Sequence, residues 1–222
     1  GAATANAAGY PDIGLISLEE MCHTIRKVSD ASNLPVIADA DTGFGDLEAV
    51  AKTVVEYERN GAAGLHLEDQ VFPKRCGHLD GKTIVPIESM VEKVSVAVQS
   101  KPHDDFLIIA RTDARGVDGM EAAIERGLAY KEAGADMLFP EGMQSEEEFA
   151  EFAEGCKGLL LANMTEFGKT PDITLKRFSE IGYDLVIYPV TMQRVAMGAI
   201  TSCLEQLQRE ESASGFESQM QT

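Results

Sequence analysis

The sequence predicts an α/β protein of the (β/α)8 barrel type. Three observations carry that expectation. Apolar residues alternate between runs of helical spacing and short buried-strand runs along the chain. Three segments, Asn60–Leu67, Ala133–Phe139 and Ile181–Ile187, end a helix on glycine and enter a strand at once, as parallel-sheet proteins do. Polar residues also recur just past the strands, where barrel enzymes carry their chemistry. A chain of 222 residues suits one large α/β domain, so residues 1–222 are read as a single barrel domain.

The elements follow in order. Ser17 with Glu20 makes a capping box, and Leu18, Met21, Cys22, Ile25 and Val28 then recur at helical spacing. A strand is expected at Pro35–Asp39. Asp46 caps the next helix, whose apolar face is Leu47, Val50, Ala51, Val54 and Tyr57. Gly64–Leu67 reads as a strand, and a loop from Asp69 to about Thr83 is too long for a plain connection. Helices at Pro86–Val98, Gly119–Lys131, Glu146–Ala153, Ile173–Glu180 and Met192–Arg209 alternate with strands at Phe106–Ala110, Met137–Phe139, Leu159–Ala162 and Leu185–Tyr188. Residues 212–222 read as a polar tail. Six strand–helix pairs and one unpaired first helix imply a barrel that enters this sequence just after its second strand. A doubly wound sheet is the alternative, but Gly43-Phe44-Gly45 lacks the third glycine of its phosphate-binding turn.

Composition removes several function classes. With 19 basic against 37 acidic residues, the net charge of -18 repels nucleic acid and anionic membranes. No stretch approaches the ~18 apolar residues of a membrane span, and no leader-like segment opens the chain, so a cytoplasmic location is expected. Cys22, Cys76, Cys156 and Cys203 lack CxxC or metal-finger spacing and read as free thiols.

The strand ends supply Asp39, Asp41, Glu68, Asp69, Arg111, Asp113, Glu141, Asn163 and Thr165, with Arg194 just past the last strand. Asp39-Ala40-Asp41 is expected to put two carboxylates on one face of an extended segment. With Glu68 they form an all-oxygen set suited to a hard cation such as Mg2+. Arg111 suits a substrate carboxylate, or an internal pair with Asp113 or Glu141. Cys76 lies among Lys74, Arg75 and His78, and positive neighbours favour a thiolate and proton exchange near neutrality. A covalent hydrolase using His78 as base is the alternative from the residues alone. His66 reads as a core residue, and His23 and His103 as surface. Serine hydrolysis has no support, since no GxSxG elbow occurs.

Asp39-Ala40-Asp41-Thr42-Gly43-Phe44-Gly45, Leu67-Glu68-Asp69-Gln70, Lys74-Arg75-Cys76-Gly77-His78 and Ala110-Arg111-Thr112-Asp113 together resemble the isocitrate lyase/phosphoenolpyruvate mutase superfamily. The segment Asn163-Met164-Thr165-Glu166-Phe167-Gly168-Lys169-Thr170-Pro171 is similar to that of short-chain 2-methylisocitrate lyases. The resemblance implies a (β/α)8 barrel, a homotetramer with exchanged carboxy-terminal helices, and Mg2+-dependent (or Mn2+-dependent) retro-aldol cleavage of 2-methylisocitrate to pyruvate and succinate. Asp41 is then the direct metal ligand, with Asp39 and Glu68 acting directly or through water. Cys76 becomes the proton donor, aided by Lys74 and His78, and Arg111 binds the oxo-acid carboxylate. Arg75, Gly77, Glu141, Asn163, Thr165 and Arg194 complete the substrate contacts. Same-fold alternatives are a 2,3-dimethylmalate lyase, an oxaloacetate hydrolase or decarboxylase, and a phosphonate mutase; an inactive truncated barrel is a further one. The resemblance also places the base for the substrate hydroxyl before Gly1 and the swapped helices after Thr222.

Overall fold

The computed structural model describes residues 1–221. Six strands form one parallel sheet in sequence order: β1 (Val36–Asp39), β2 (Ala62–Glu68), β3 (Leu107–Thr112), β4 (Met137–Pro140), β5 (Leu159–Asn163) and β6 (Leu185–Ile187). Helices α3 (Leu47–Arg59), α4 (Ile87–Gln99), α5 (Met120–Glu132), α6 (Glu146–Gly155), α7 (Leu175–Ile181) and α8 (Thr191–Glu210) follow the six strands in turn. Two helices, α1 (Ala2–Ala7) and α2 (Leu18–Ser32), precede β1. This curled arc of six β/α units has the strand sequence of a barrel wall, and the described residues show no doubly wound order.

Local chemistry fixes the element ends. Both halves of the Ser17/Glu20 box form: Ser17 Oγ accepts from Glu20 N at 3.3 Å, and Ser17 N donates to Glu20 Oε2 at 2.8 Å. Asp46 Oδ1 accepts from Ala49 N at 3.0 Å, capping α3, and Ser145 caps α6 in the same way. Each such cap stabilises its helix by about 1 kcal/mol. The three helix-to-strand glycines, Gly61, Gly134 and Gly182, have φ of 95°, 103° and 105°, a region other residues enter at a cost. The repeat seen in the sequence is therefore a repeated backbone device.

Two apolar layers sandwich the strands. On the outer face, Val50, Val54 and Tyr57 of α3, Met90 and Val94 of α4, Tyr130 of α5, Phe149 and Phe152 of α6 and Phe178 of α7 are buried against the sheet. On the inner face, Ile109, Met137, Phe139 and Leu161 pack together with Ile37, Leu107, Leu185 and Ile187. Burial on both faces explains why the strands read as continuous apolar runs rather than alternations.

Three features differ from the sequence reading. Helix α1 was not expected, because six small residues give no apolar periodicity. Within the supposed polar tail, Phe216 is buried and Glu217–Gln219 form a turn of 3-10 helix. Asp39 and Asp41 do not share an extended face. The strand stops at Asp39, and Asp41 takes a left-handed conformation with φ of 45°. Its N–H then donates to Asp39 Oδ1 at 2.9 Å. Aspartate tolerates that region better than most residues, so the two carboxylates meet through a turn.

Candidate active site

The strand register brings the polar residues to one end of the sheet. Asp39 pairs with His66, and Glu68 pairs with Arg111 two residues further along. Tyr57 OH donates to the Asp39 carbonyl at 2.7 Å, so α3 holds the end of β1 in place. A cavity of about 730 Å³ opens there, and the inner layer residues Ile37, Phe139, Leu161 and Ile187 form its apolar floor. Asp39, Lys74, Cys76, Gly77, His78, Arg111, Glu141, Asn163, Thr165 and Arg194 all line it.

The charges around Arg111 interlock. Its Nε lies 2.9 Å from Asp113 Oδ2 and 3.3 Å from Glu68 Oε2, and its Nη1 lies 3.2 Å from Glu141 Oε2. The internal pairing considered from the sequence is therefore present, in a residue that also faces the cavity. Phe139 stacks beneath the guanidinium, 5.2 Å from its ring centre. Burial opposes the charge on Arg111, but Asp113, Glu68 and Glu141 outweigh it and keep the group charged. Glu141 is likewise pushed up by burial, yet Arg111, His78 and Asn163 hold it well below the usual carboxylate range. His78 Nε2 lies 3.1 Å from Glu141 Oε1, and Asn163 Nδ2 lies 3.1 Å from Glu141 Oε2.

A second charge cluster surrounds Lys74. Its Nζ lies 2.5 Å from Asp12 Oδ1 and 2.8 Å from Asp41 Oδ1. Burial disfavours the ammonium, but Asp39, Glu68, Asp41 and Asp12 raise its pKa above that of a free lysine. Burial raises Asp39, but His66, Lys74 and Arg111 draw it down, and it ends below its ordinary value. Burial and the neighbouring Asp39 push Asp41 the other way. Two carboxylates in one site thus divide their ionisation, as close like charges must.

The donor set fits a hard divalent cation. Glu68 is 1% exposed, and neither of its carboxylate oxygens accepts a hydrogen bond. Asp41 Oδ1 is buried with no hydrogen bond of good geometry, despite the nearby Lys74 ammonium. Buried acceptors in this state are costly unless a cation meets them. Among the described residues, no three acidic, histidine or cysteine side chains already converge as a ligand cage. Mg2+ needs no such cage, because it keeps several waters and takes one or two carboxylates.

The Cys76 loop lies directly over Arg111 and Glu141. Gly77 is pressed so close that an added Cβ would sit 2.3 Å from Glu141 Cγ and 2.6 Å from Arg111 Nη2. Only glycine fits there. Cys76 is half-buried, whereas the Arg75 side chain is exposed, with Nη1 3.4 Å from the Asp80 carbonyl. Arg75 is thus not brought to the cavity. At the opposite rim, Arg194 Nη1 reaches Glu166 Oε2 at 2.9 Å and Thr165 Oγ1 at 3.2 Å.

A family model described as phosphoenolpyruvate phosphomutase matches residues 1–208. The chain belongs to this family. It is 49% identical to "Probable 2-methylisocitrate lyase 1" of Corynebacterium glutamicum over all 222 residues, which span 73% of that protein. A crystal structure of 2,3-dimethylmalate lyase, a PEP mutase/isocitrate lyase superfamily member, superposes with a TM-score of 0.92 at 37% identity, covering 99% of this chain and 74% of that one. A phosphonopyruvate hydrolase complexed with oxalate and Mg2+ superposes with a TM-score of 0.86 at 27% identity, covering 98% of this chain and 76% of that one. Mg2+ therefore occurs with a small dicarboxylate in this superfamily.

The family's fold explains residues that the sequence reading passed over. Asp12 lies in the loop before α2, with no periodicity to mark it, and reaches the cavity only because that loop folds across the site. His66 is buried as expected, but its Nδ1 has no hydrogen-bond partner and sits 3.4 Å from Asp39 Oδ1. Burial lowers its pKa to about 4, with Arg111 and Lys74 adding to that and Asp39 opposing. The imidazole is neutral at pH 7. Helical and strand periodicity find buried residues and cannot separate a packed histidine from one facing a cavity.

Proposed function

We propose that this protein is a Mg2+-dependent carbon–carbon lyase that cleaves 2-methylisocitrate to pyruvate and succinate. The observation that carries this reading is the Lys74-Arg75-Cys76-Gly77-His78 loop packed over Arg111 and Glu141, in a chain 49% identical to a protein described as "Probable 2-methylisocitrate lyase 1". Asp41, with Asp39 and Glu68 directly or through water, would hold Mg2+ (or Mn2+), which supplies positive charge for the oxygen that becomes the oxo group of pyruvate. Arg111 orients the carboxylate of that half with paired N–H groups. The substrate hydroxyl gives its proton to a general base, its oxygen becomes the oxo group of pyruvate, and the adjacent carbon–carbon bond breaks with its electron pair left on the succinate half. Cys76 gives its thiol proton to that carbanion, and His78 and Lys74 supply the polar surroundings of the resulting thiolate. Asn163, Thr165 and Arg194 line the side where the succinate carboxylates would lie. The apolar floor of Ile37, Phe139, Leu161 and Ile187 excludes water beneath the reacting carbons.

The test is pyruvate release from 2-methylisocitrate with and without Mg2+, with 2,3-dimethylmalate and oxaloacetate as competing substrates. Cys76→Ser is expected to lower kcat by about 10²- to 10⁴-fold, the range for loss of a proton-transfer group. Turnover that ignores Mg2+, or that survives Cys76→Ser, sinks the proposal. Preference for 2,3-dimethylmalate keeps the chemistry and replaces the substrate.

A further inference from the structure

One ammonium group joins the Cys76 loop to the arginine beneath it. The Lys82 side chain is 4% exposed, and its Nζ donates to the Gly77 carbonyl and, at 2.7 Å, to Asp113 Oδ1. Asp113 is fully buried, and the same carboxylate accepts from Arg111 Nε at 2.9 Å and from Nη2 at 3.2 Å. Gly116 leaves room for the ammonium, since an added Cβ would stand 3.3 Å from Nζ. On the other side of Cys76, the Gln70 amide holds both backbone groups of Arg75: Nε2 donates to the Arg75 carbonyl and Oε1 accepts from Arg75 N, each at 2.8 Å. The cysteine is therefore gripped on both flanks, and of these two grips the Lys82 one runs on, through Asp113, to Arg111, beside the His78–Glu141 contact that also reaches it.

We infer that Lys82 is a positioning residue that couples the Cys76 loop to Arg111 through Asp113, so that an anion held at Arg111 and the placement of the Cys76 thiol govern each other. The physical ground is a single buried carboxylate shared by two cationic partners. An anion that draws Arg111 away from Asp113 leaves that carboxylate to Lys82 alone, and the stronger pair holds the Gly77 carbonyl more firmly. Coupling of this kind is reciprocal, and typical values change affinity by about 5- to 150-fold. The inference rests on the proposed site but not on its turnover.

The test uses the purified protein with oxalate and Mg2+ as the probe and reads two quantities other than activity. The first is amide hydrogen exchange across Leu79–Thr83, a segment outside the cavity lining, so direct shielding by the probe does not account for a change. Oxalate is expected to slow exchange there about tenfold in the unaltered protein, and Lys82→Met is expected to abolish that response at saturating oxalate. The second is the rate at which iodoacetamide modifies Cys76 without ligand, which should rise about tenfold in Lys82→Met while Cys203 is unchanged. A purely structural role would shift Cys203 and the melting temperature together with Cys76. Retention of the oxalate response in Lys82→Met overturns the inference. Should that variant fail to fold, the unaltered protein still decides it. Exchange at Leu79–Thr83 and at Ala114–Gly116 must slow with the same oxalate dependence, and a response in neither or only one overturns it. None of these readings requires cleavage of 2-methylisocitrate, so failure of that activity leaves the coupling standing.

Discussion

Glu68 and Asp69 are neighbours at the end of β2, both carboxylates and both buried, yet their surroundings are opposite. Asp69 faces the outer layer and is fully engaged. Its Oδ2 accepts from Thr112 Oγ1 and Tyr130 OH at 2.8 Å each and lies 3.2 Å from Arg126 Nη1, while Oδ1 accepts from Asp113 N at 2.9 Å. Glu68 turns to the inner side beside Arg111, and its two oxygens accept no hydrogen bond at all. Its nearest support is Arg111 Nε at 3.3 Å. One residue of pleat separates a carboxylate that holds the fold from one kept ready for a ligand. Burial raises the pKa of both, but hydrogen bonds from Asp113, Thr112 and Tyr130 counter it for Asp69. For Glu68, burial is joined by Asp113 and Asp39 and is opposed only by Arg111 and Lys74.

If that contrast is correct, the two carboxylates fail differently when removed. Asp69→Ala strips the partner from a buried guanidinium, a phenol, a hydroxyl and a backbone N–H in one step. Breaking a buried pair of this kind costs about 3–5 kcal/mol, a large part of a domain's stability. Urea or thermal unfolding should show that loss. A variant within about 1 kcal/mol of the parent would erase the distinction between the two faces.

Glu68→Gln should do the reverse. Arg111 keeps Asp113 and Glu141, so stability is expected to change by less than about 1 kcal/mol. Mg2+ affinity should fall by about 10- to 100-fold, the range for loss of a group that supports a metal directly or through water. Calorimetric titration with Mg2+ measures it. Unchanged affinity would place the metal away from β2 and leave Glu68 as an ion-pair partner of Arg111 alone.

The same contrast explains what was legible in the sequence. Strands, caps and the Gly61, Gly134 and Gly182 junctions obey short-range rules, so their order and limits follow from a few neighbouring residues. The polar ends of the strands were legible too, because the barrel topology puts them on one rim. What the sequence does not encode locally is which side of that rim a residue faces. Asp113 reads like Asp69, yet it is shared by Arg111 and Lys82 across a 31-residue separation. Lys82 itself lies in a loop with no periodicity, and only the folded loop reveals its two partners. Arg75 shows the opposite error, since its place beside Cys76 in the sequence does not bring its side chain to the cavity.

The rim sets the lower end of the scale. Arg194 pairs with Glu166 and Thr165 like the inner residues, but its side chain is 41% exposed, and Phe167 beneath it is 97% exposed. Water and salt screen such a pair, so its loss should cost only about 0.2–1 kcal/mol. Arg194→Ala is therefore expected to melt close to the parent. Its effect belongs in binding. An interaction made equally with bound substrate and transition state raises KM and leaves kcat nearly unchanged when removed. A fall in kcat at constant KM would instead move Arg194 inward, among the groups that act on the breaking bond, and would blur the division between a buried, prepaid site and a solvated edge that only gathers the substrate.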